Sequence, residues 1–474
     1  MNNDEIVKNQ KCDGKEKSSS SRRRESRVMR RTYSTPQSQR DEAQRRNWAF
    51  YEAINNNHLA KDIPGLDVYL QERKIGRLWL DEKRRFVFQY DTEWIGQQGA
   101  VPLSLRLPLR TEPYPDDLAR PFFSNLLPEA DIKRVIAQRL RISVNNDFAM
   151  LNSIGGECAG AVSVLPSGKK PTVKPGYREL NEEELHKVII DLPRRPLMAG
   201  VEGMRLSLAG AQNKLPVYME DNRIFIASGN APSSHILKPS IKDLEDTVGN
   251  EAFCMMLAQR MGLPAPTVAI HQGIDRLFII TRYDRSRDRD GRLVRIHQED
   301  FCQALGFLPE QKYESEGGPA LPQCFTLLQE KSIRPAADRM DLLRWTIFNF
   351  LIGNADAHAK NLAILFTDRG PRLAPFYDLI CTQVYPDSME RQAMRVGGEN
   401  RPSWIQRRHW ERFGEAIAIK PRLVLKSLRG MAASVMLPAQ KLAAEFQKTY
   451  GTFPVIGKIL AVIEKRAKAV RTPD

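Results

Sequence analysis

The chain has 474 residues, 42% apolar and 27% charged, with a formal net charge of +15, the balance of a soluble globular protein long enough for two or three domains. No apolar run approaches the roughly 18 residues needed to span a bilayer, and the start MNNDEIVKNQKCDGKEK lacks the hydrophobic stretch of a secretory signal, so a cytoplasmic protein with no membrane partner is expected. Six cysteines, at 12, 158, 254, 302, 324 and 381, form no CxxC pair, which argues against a zinc ribbon or a disulfide framework.

Residues 1–50 carry 13 Lys/Arg against 7 Asp/Glu. That basicity suits an anionic partner (nucleic acid, nucleotide or acidic protein) as readily as it suits plain solubility. SSSSRRRESRVMRR and STPQSQRDEAQRR nearly lack large apolar residues, so residues 1–45 are expected to be disordered, with a short helix following in RRNWAFYEAINNN. From Leu66 the pattern changes. LDVYLQ, KIGRLWLD and RFVFQYD alternate as strands do, and helical periodicity takes over across 122–140. Gly156-Glu157-Cys158-Ala159-Gly160 has the spacing of a nucleophile elbow, but it runs from a helical stretch (NNDFAMLNSI) into a strand (AVSVLP), the reverse of what an elbow needs. It reads as a tight turn. PSGKKPTVKPGYR (166–178) is a linker.

RLSLAG, KLPVYME, RIFIAS and SHILKPS then read as strands, GNEAFCMMLAQRMG (249–262) as a helix, and VAIHQG and LFIITRYD as strands. From about residue 297 the chain is mostly helical apart from a hairpin at 362–378. A small β-rich lobe with one helix (179–290) followed by a helical lobe (291–474) predicts an α+β fold.

GNADAHAKN (353–361) directly follows the apolar run LLRWTIFNFLI. Gly353 suits a helix C-terminus, and the loop after it is projected from a buried element, where reactive groups often sit. Asp356 and Asn361 have the D-x-x-x-x-N spacing that places a base and a metal-binding Asn in kinase catalytic loops. A hairpin turning near Arg369 would set Asn361 opposite Tyr377, beside Asp378, bringing two oxygen ligands together. The spacing alone arises by chance, and a solvated loop stays open. His358 has no H-x-H or H-x-x-x-H partner, which disfavours zinc; it would orient the loop or a phosphate.

SLAGAQNK (207–214) offers Ala209, Gly210 and Ala211, with Gln212 beside them, as a loop whose backbone could approach a phosphate, although an ordinary hairpin turn explains it equally well. Lys238 ends an apolar strand, and Glu251 opens the next helix, where it could pair with Lys238 or simply favour the helix dipole. The joint order of small-residue loop, strand lysine, helix glutamate, D-x-x-x-x-N and a later aspartate is that of a kinase.

RLSLAGAQNKL, SHILKP, NEAFCMMLAQRMGLPAP, ITRYDR, HQEDFCQALG, FLIGNADAHAKN and APFYDL, in this order, resemble the HipA family, the serine/threonine-kinase toxins of bacterial toxin–antitoxin pairs. PLSLRLPLR and FFSNLLPEAD in 66–165 resemble the family's N-terminal subdomain. The resemblance implies a bilobal protein-kinase-like fold: a β-rich ATP-binding lobe with an extra subdomain before it, and a helical lobe. It implies ATP and Mg²⁺ as cofactors, Asp356 as catalytic base and Asn361 and Asp378 as metal ligands. Lys238 would meet the ATP phosphates, Thr281, Arg282 and Tyr283 would form the segment meeting adenine, and Ser207 would be autophosphorylated. It further implies a helix-turn-helix antitoxin as partner, operator DNA bound through that complex, and a protein substrate such as an aminoacyl-tRNA synthetase. Residues 1–60 are an addition to the family pattern, a candidate arm for DNA phosphates. Two other readings remain: a non-catalytic DNA-associated regulator and a small-molecule phosphotransferase.

Overall fold

The alternating stretches after residue 64 fold as antiparallel strands in a computed structural model that describes residues 65–171, 176–199, 206–229, 231–386 and 390–471. The basic arm and its short helix lie outside the described residues. β1 (Gly65–Leu70), β2 (Arg73–Leu80), β3 (Phe86–Tyr90) and β4 (Val162–Pro166) form a sheet in the order β3-β2-β1-β4. Every residue of the inner strand β1 is buried. The expected helical run over 122–140 is two helices. After the short α1 (Thr92–Ile95) come α2 (Asp116–Ser124) and α3 (Ala130–Leu140), then α4 (Asp147–Ile154). The break falls at Pro128, which cannot donate a helix hydrogen bond and disfavours helical backbone at Leu127. Phe88 and Phe123 meet with ring centroids 5.5 Å apart in the core beneath the sheet.

A six-stranded antiparallel sheet follows in the order β5-β7-β6-β8-β10-β9. Its strands are β5 (Gly176–Leu180), β6 (Leu215–Glu220), β7 (Arg223–Ser228), β8 (His235–Pro239), β9 (Val268–Gln272) and β10 (Arg276–Thr281). The strand expected in RLSLAG reduces to one bridge, Leu206 to Glu157. This lobe has two helices rather than one. α5 (Glu182–Asp191) begins with a reciprocal cap between Asn181 and Glu184, a signal present in NEEE but not read there. α6 (Thr247–Arg260) is buried along most of its length, with Phe253 set edge-on to Phe446 at 5.9 Å.

A hairpin of β11 (Arg285–Arg287) and β12 (Leu293–Arg295) leads to β13 (Gln298–Asp300), which adds a third, unexpected strand to the hairpin of β14 (Ala363–Thr367) and β15 (Gly370–Leu373). Three residues are too few to show an alternation. Helices α7 (Phe301–Leu305), α8 (Leu321–Lys331), α9 (Pro335–Ile352), α10 (Arg407–Ala416), α11 (Pro421–Ser434), α12 (Met436–Tyr450) and α13 (Pro454–Arg471) make the remaining lobe. Among the described residues no helix is long and apolar enough to cross a membrane, and the described cysteines are buried and form no disulfide.

The loop PLSLRLPLR docks on β13. Glu299 accepts from the Ser104 hydroxyl at 2.6 Å and from the Leu105 N–H at 2.8 Å. Burial pushes the Glu299 carboxyl up to about 8. The folded state therefore holds a proton that the unfolded chain releases near the ordinary glutamate value, so this contribution is full at acid pH and is lost as pH rises toward 8. Between about pH 5 and about pH 8, stability should fall by up to about 1.4 kcal/mol per unit from this group. Urea unfolding of Glu299→Gln should show a flatter pH dependence than wild type; an identical slope would reject the assignment.

Candidate active site

From Leu342 to Ile352 α9 is buried except at Arg344, so its C-terminal end is fixed in the core. Gly353 terminates it with φ +76°, and a Cβ there would lie 2.8 Å from Val462 Cγ1. Only glycine takes that turn without strain. The loop that follows is held by its own amides. Asn354 donates to Asn349 Oδ1 at 2.8 Å and to the Asp378 carbonyl at 3.3 Å, and accepts from the Asp356 N–H at 3.1 Å. Asn361 donates to the Asp356 carbonyl at 3.0 Å.

The hairpin turns on Asp368 and Arg369, pairing Thr367 with Gly370. This register is one residue short of the expectation, setting position 361 level with Phe376 rather than Tyr377. Regular pairing ends near Ala363, whose carbonyl accepts from Ala374 N–H at 2.9 Å. Asp378 nevertheless lies beside the loop after α9, its carbonyl accepting from Asn354. It does so with φ +53°, a conformation costly for a residue with a Cβ and typical of functional positions.

On the facing lobe, Lys238 near the end of β8 places its Nζ 2.7 Å from Glu251 Oε1 and in direct contact with Asp378 Oδ1. Glu251 lies one turn inside α6, which starts at Thr247, and is buried; it faces a cation rather than the helix dipole. Burial pushes the Glu251 carboxyl up to about 7 against the pull of Lys238. Burial would also raise Asp378, but Lys238 and Lys214 outweigh it and hold that carboxyl at about 2.

The loop 207–214 closes the same cleft. Gly210 has φ +110°, and its carbonyl accepts from Glu129 N–H at 3.2 Å. The Ala209 carbonyl accepts from Lys214 Nζ at 2.5 Å, and Gln212 donates to the Pro239 carbonyl at 3.2 Å. Ala211 lines the cleft with them. Burial and Lys238 together bring the Lys214 amine down to about 8. Ser207 is fully buried, with its hydroxyl donating to the Leu126 carbonyl at 2.7 Å.

Thr281, Arg282 and Tyr283 border the cleft, but not all by their side chains. The Arg282 guanidinium is turned into a buried cluster, bonding Asp284 at 2.7 and 2.9 Å and Ser233 Oγ at 2.9 Å. Its charge is therefore taken up away from a ligand. Tyr283 stacks on Tyr377 with centroids 5.7 Å apart.

The cleft between these walls has a volume of about 860 Å³, which suits a nucleotide-sized ligand. Ala209, Lys238, Glu251, Asp356, His358, Asn361 and Asp378 all line it. The Asp378 carboxylate and the Asn361 amide oxygen, whose nitrogen is engaged by the Asp356 carbonyl, are hard oxygen donors. No cluster of three or more His, Cys, Asp or Glu able to hold a metal occurs among the described residues. Two donors on one wall fit a cation such as Mg²⁺, which completes its shell with phosphate oxygens and water. His358 is buried, and burial brings its imidazole down to about 4. Its Nε2 is 3.9 Å from Asp356 Oδ1, and its Nδ1 has no partner. It is a neutral wall of the loop.

Several residues were missed. Tyr313 donates its hydroxyl to Asp356 Oδ1 at 2.6 Å and packs edge-on against His358. It comes from a loop 43 residues upstream, and nothing in its surroundings distinguished it. Lys214 lay within SLAGAQNK, where its spacing was visible but not its direction. Lys360 is a fully enclosed pivot. Its Nζ lies 2.6 Å from Asn125 Oδ1, 3.2 Å from Asp300 Oδ2 and 3.5 Å from Glu129 Oε1. Glu129 also pairs with Lys312 at 2.9 Å. Burial opposes ionisation of Glu129, yet Lys360 and Lys312 hold it at about 2. The segment between α2 and α3 thus grips both the loop 207–214 and the loop 353–361.

Comparison with known proteins gives a consistent result. A model of the HipA N-terminal domain matches residues 66–165, and one of the HipA-like C-terminal domain matches 206–437. The chain is 40% identical over 412 residues to the putative kinase Y4mE of Sinorhizobium fredii, covering 86% of this chain and 98% of that one. It is 31% identical over 384 residues to the serine/threonine-protein kinase toxin HipA of Shewanella oneidensis, covering 78% and 87%. Its fold matches a chain from the Shewanella oneidensis MR-1 HipA, HipB and operator DNA complex with a TM-score of 0.74 at 29% identity, covering 85% of this chain and 96% of that one.

Proposed function

The chain belongs to the HipA family of serine/threonine-protein kinases, and from that premise we propose that it is the ATP- and Mg²⁺-dependent kinase toxin of a toxin–antitoxin pair. The observation that carries this reading is the contact that Lys238, paired with Glu251, makes with Asp378 across a cleft that Asp356 and Asn361 also line. A regulator without catalysis has no physical need for an aspartate held in place by Tyr313.

In this mechanism Glu251 and Asp378 fix Lys238, which meets the α- and β-phosphates as a positioned cation. The Lys214 amine and the backbone around Gly210 face the phosphate chain from the same lobe. Asn361 and Asp378 would hold Mg²⁺, which when bound neutralises charge on the phosphoryl oxygens. Asp356 accepts the proton of a serine or threonine hydroxyl as that oxygen attacks the γ-phosphorus, the bond from that phosphorus to the β–γ bridging oxygen breaks, and ADP leaves. The Tyr313 hydroxyl occupies one carboxylate oxygen and leaves the other for the incoming proton.

Autophosphorylation of Ser207 fits as self-inactivation. A phosphate carrying up to about two negative charges cannot replace a hydroxyl sealed against the Leu126 carbonyl. The modified loop must leave its seat, taking Ala209, Gly210 and Lys214 away from the nucleotide. The partner in this reading is a helix-turn-helix antitoxin, with operator DNA bound through the complex, and the substrate is a protein, with aminoacyl-tRNA synthetases as first candidates. Incubation with γ-labelled ATP and a cell extract tests the reading: label should pass to a discrete protein on Ser or Thr. No transfer from the wild-type protein, with or without antitoxin removed, would overturn it.

A further inference from the structure

A second cavity, of about 840 Å³, lies in the helical lobe among α9, α10, α11 and α13. Its apolar surface includes Trp404, which is 56% exposed, together with Trp410 and Leu428. Five cations line it (Arg401, Arg407, Arg429, Lys465 and Arg466) against one carboxylate, Glu390. Glu399 and Glu411 neutralise Arg401 and Arg407. Arg429, Lys465 and Arg466 have no carboxylate among the described residues.

Arg466 is the unusual member. It is 8% exposed, and its guanidinium donates to the neutral Gln383 Oε1 at 2.6 Å and lies 5.0 Å from the Phe350 ring. Burial brings it down to about 10, so it is still charged at neutral pH. Buried charges are ordinarily paired, and the side-chain bond of this buried arginine goes to a neutral amide rather than to Glu390, the acid that lines the cavity, so its charge is open to a carboxylate from a ligand.

We propose that this groove binds an acidic, apolar peptide segment of a partner protein, with a carboxylate seated on Arg466 and apolar side chains against the exposed Trp404. Charge complementarity selects that occupant. The chain's own first 50 residues are excluded because they are basic, and the apolar floor favours peptide side chains over a sugar-phosphate backbone. Gln383 also donates its backbone N–H to the Gly353 carbonyl at 3.2 Å, so the floor of the groove abuts the start of the catalytic loop.

The test uses the full chain and fluorescence anisotropy of a labelled Leu/Glu-alternating peptide, with a Leu/Lys peptide as control and unlabelled duplex DNA as competitor. Saturable binding of the acidic peptide alone is expected, weakened about tenfold or more in Arg466→Met and in the rim variant Lys465→Glu. Because Lys465 is exposed, the second variant keeps the test decisive if the first does not fold. Absence of saturable binding, equal affinity in Lys465→Glu, equal binding of the Leu/Lys peptide, or displacement by duplex DNA would each overturn the proposal. The readout is binding, so it stands or falls apart from kinase activity.

Discussion

Asp356→Asn should lower phosphoryl transfer by about 10²–10⁴-fold while leaving nucleotide affinity close to wild type, the signature of a lost general base. Asparagine keeps an oxygen to accept from Tyr313, whose hydroxyl lies 2.6 Å from Asp356 Oδ1. The bonds that shape the loop use the backbone N–H and carbonyl of residue 356, not its carboxylate. Folding should therefore survive, and the thermal unfolding midpoint should stay within a few degrees of wild type. Transfer of label from γ-labelled ATP, measured alongside nucleotide binding, separates the two effects, and growth arrest on expression should disappear with the activity. Retention of more than about a tenth of the rate would remove Asp356 from the role of base.

Lys360→Met is the second large effect, and it concerns stability first. The ammonium is enclosed with Asp300 and Glu129, both nearly buried. Removing it leaves two carboxylates facing each other in a dry site with only Lys312 in reach of one of them. Breaking one partner out of such a network costs about 3–5 kcal/mol, because the remaining charge is uncompensated. The loss should appear as a lower urea midpoint, and adding Glu129→Gln should recover part of it by removing the repulsion. A variant within about 1 kcal/mol of wild type would mean that water reaches this site and that the clamp is weak.

Much of the architecture could be read from periodicity. The first three strands, α6 and the buried α9 announced themselves by alternation or by an apolar run. The two-helix split at Pro128 and the cap at Asn181 were written in the sequence as local signals and passed over in favour of longer patterns. β13 is different: its three residues take strand form only because β14 offers a partner, so tertiary context decided it. The site divides in the same way. Asp356 and Asn361 stood out because their spacing is fixed within one loop, and Lys238 and Glu251 because each sat at an element's edge. Tyr313, Asn125 and Glu129 reach the loop from distant parts of the chain through unremarkable surroundings, and only folding brings them there. Arg282 errs in the other direction, since its place in the segment was legible while the direction of its side chain, toward Asp284, was not.

Lys360 also bears on how the protein is made. Its two anchors in the first subdomain, Asn125 and Glu129, leave the ribosome more than two hundred residues before it does, and α13, the helix that backs Gly353, is made after the loop it supports. The loop 353–361 therefore lacks part of its support until α13 has been made. A product initiated downstream of Glu129 lacks the anchor, and one that stops before Val462 lacks the wall behind the turn.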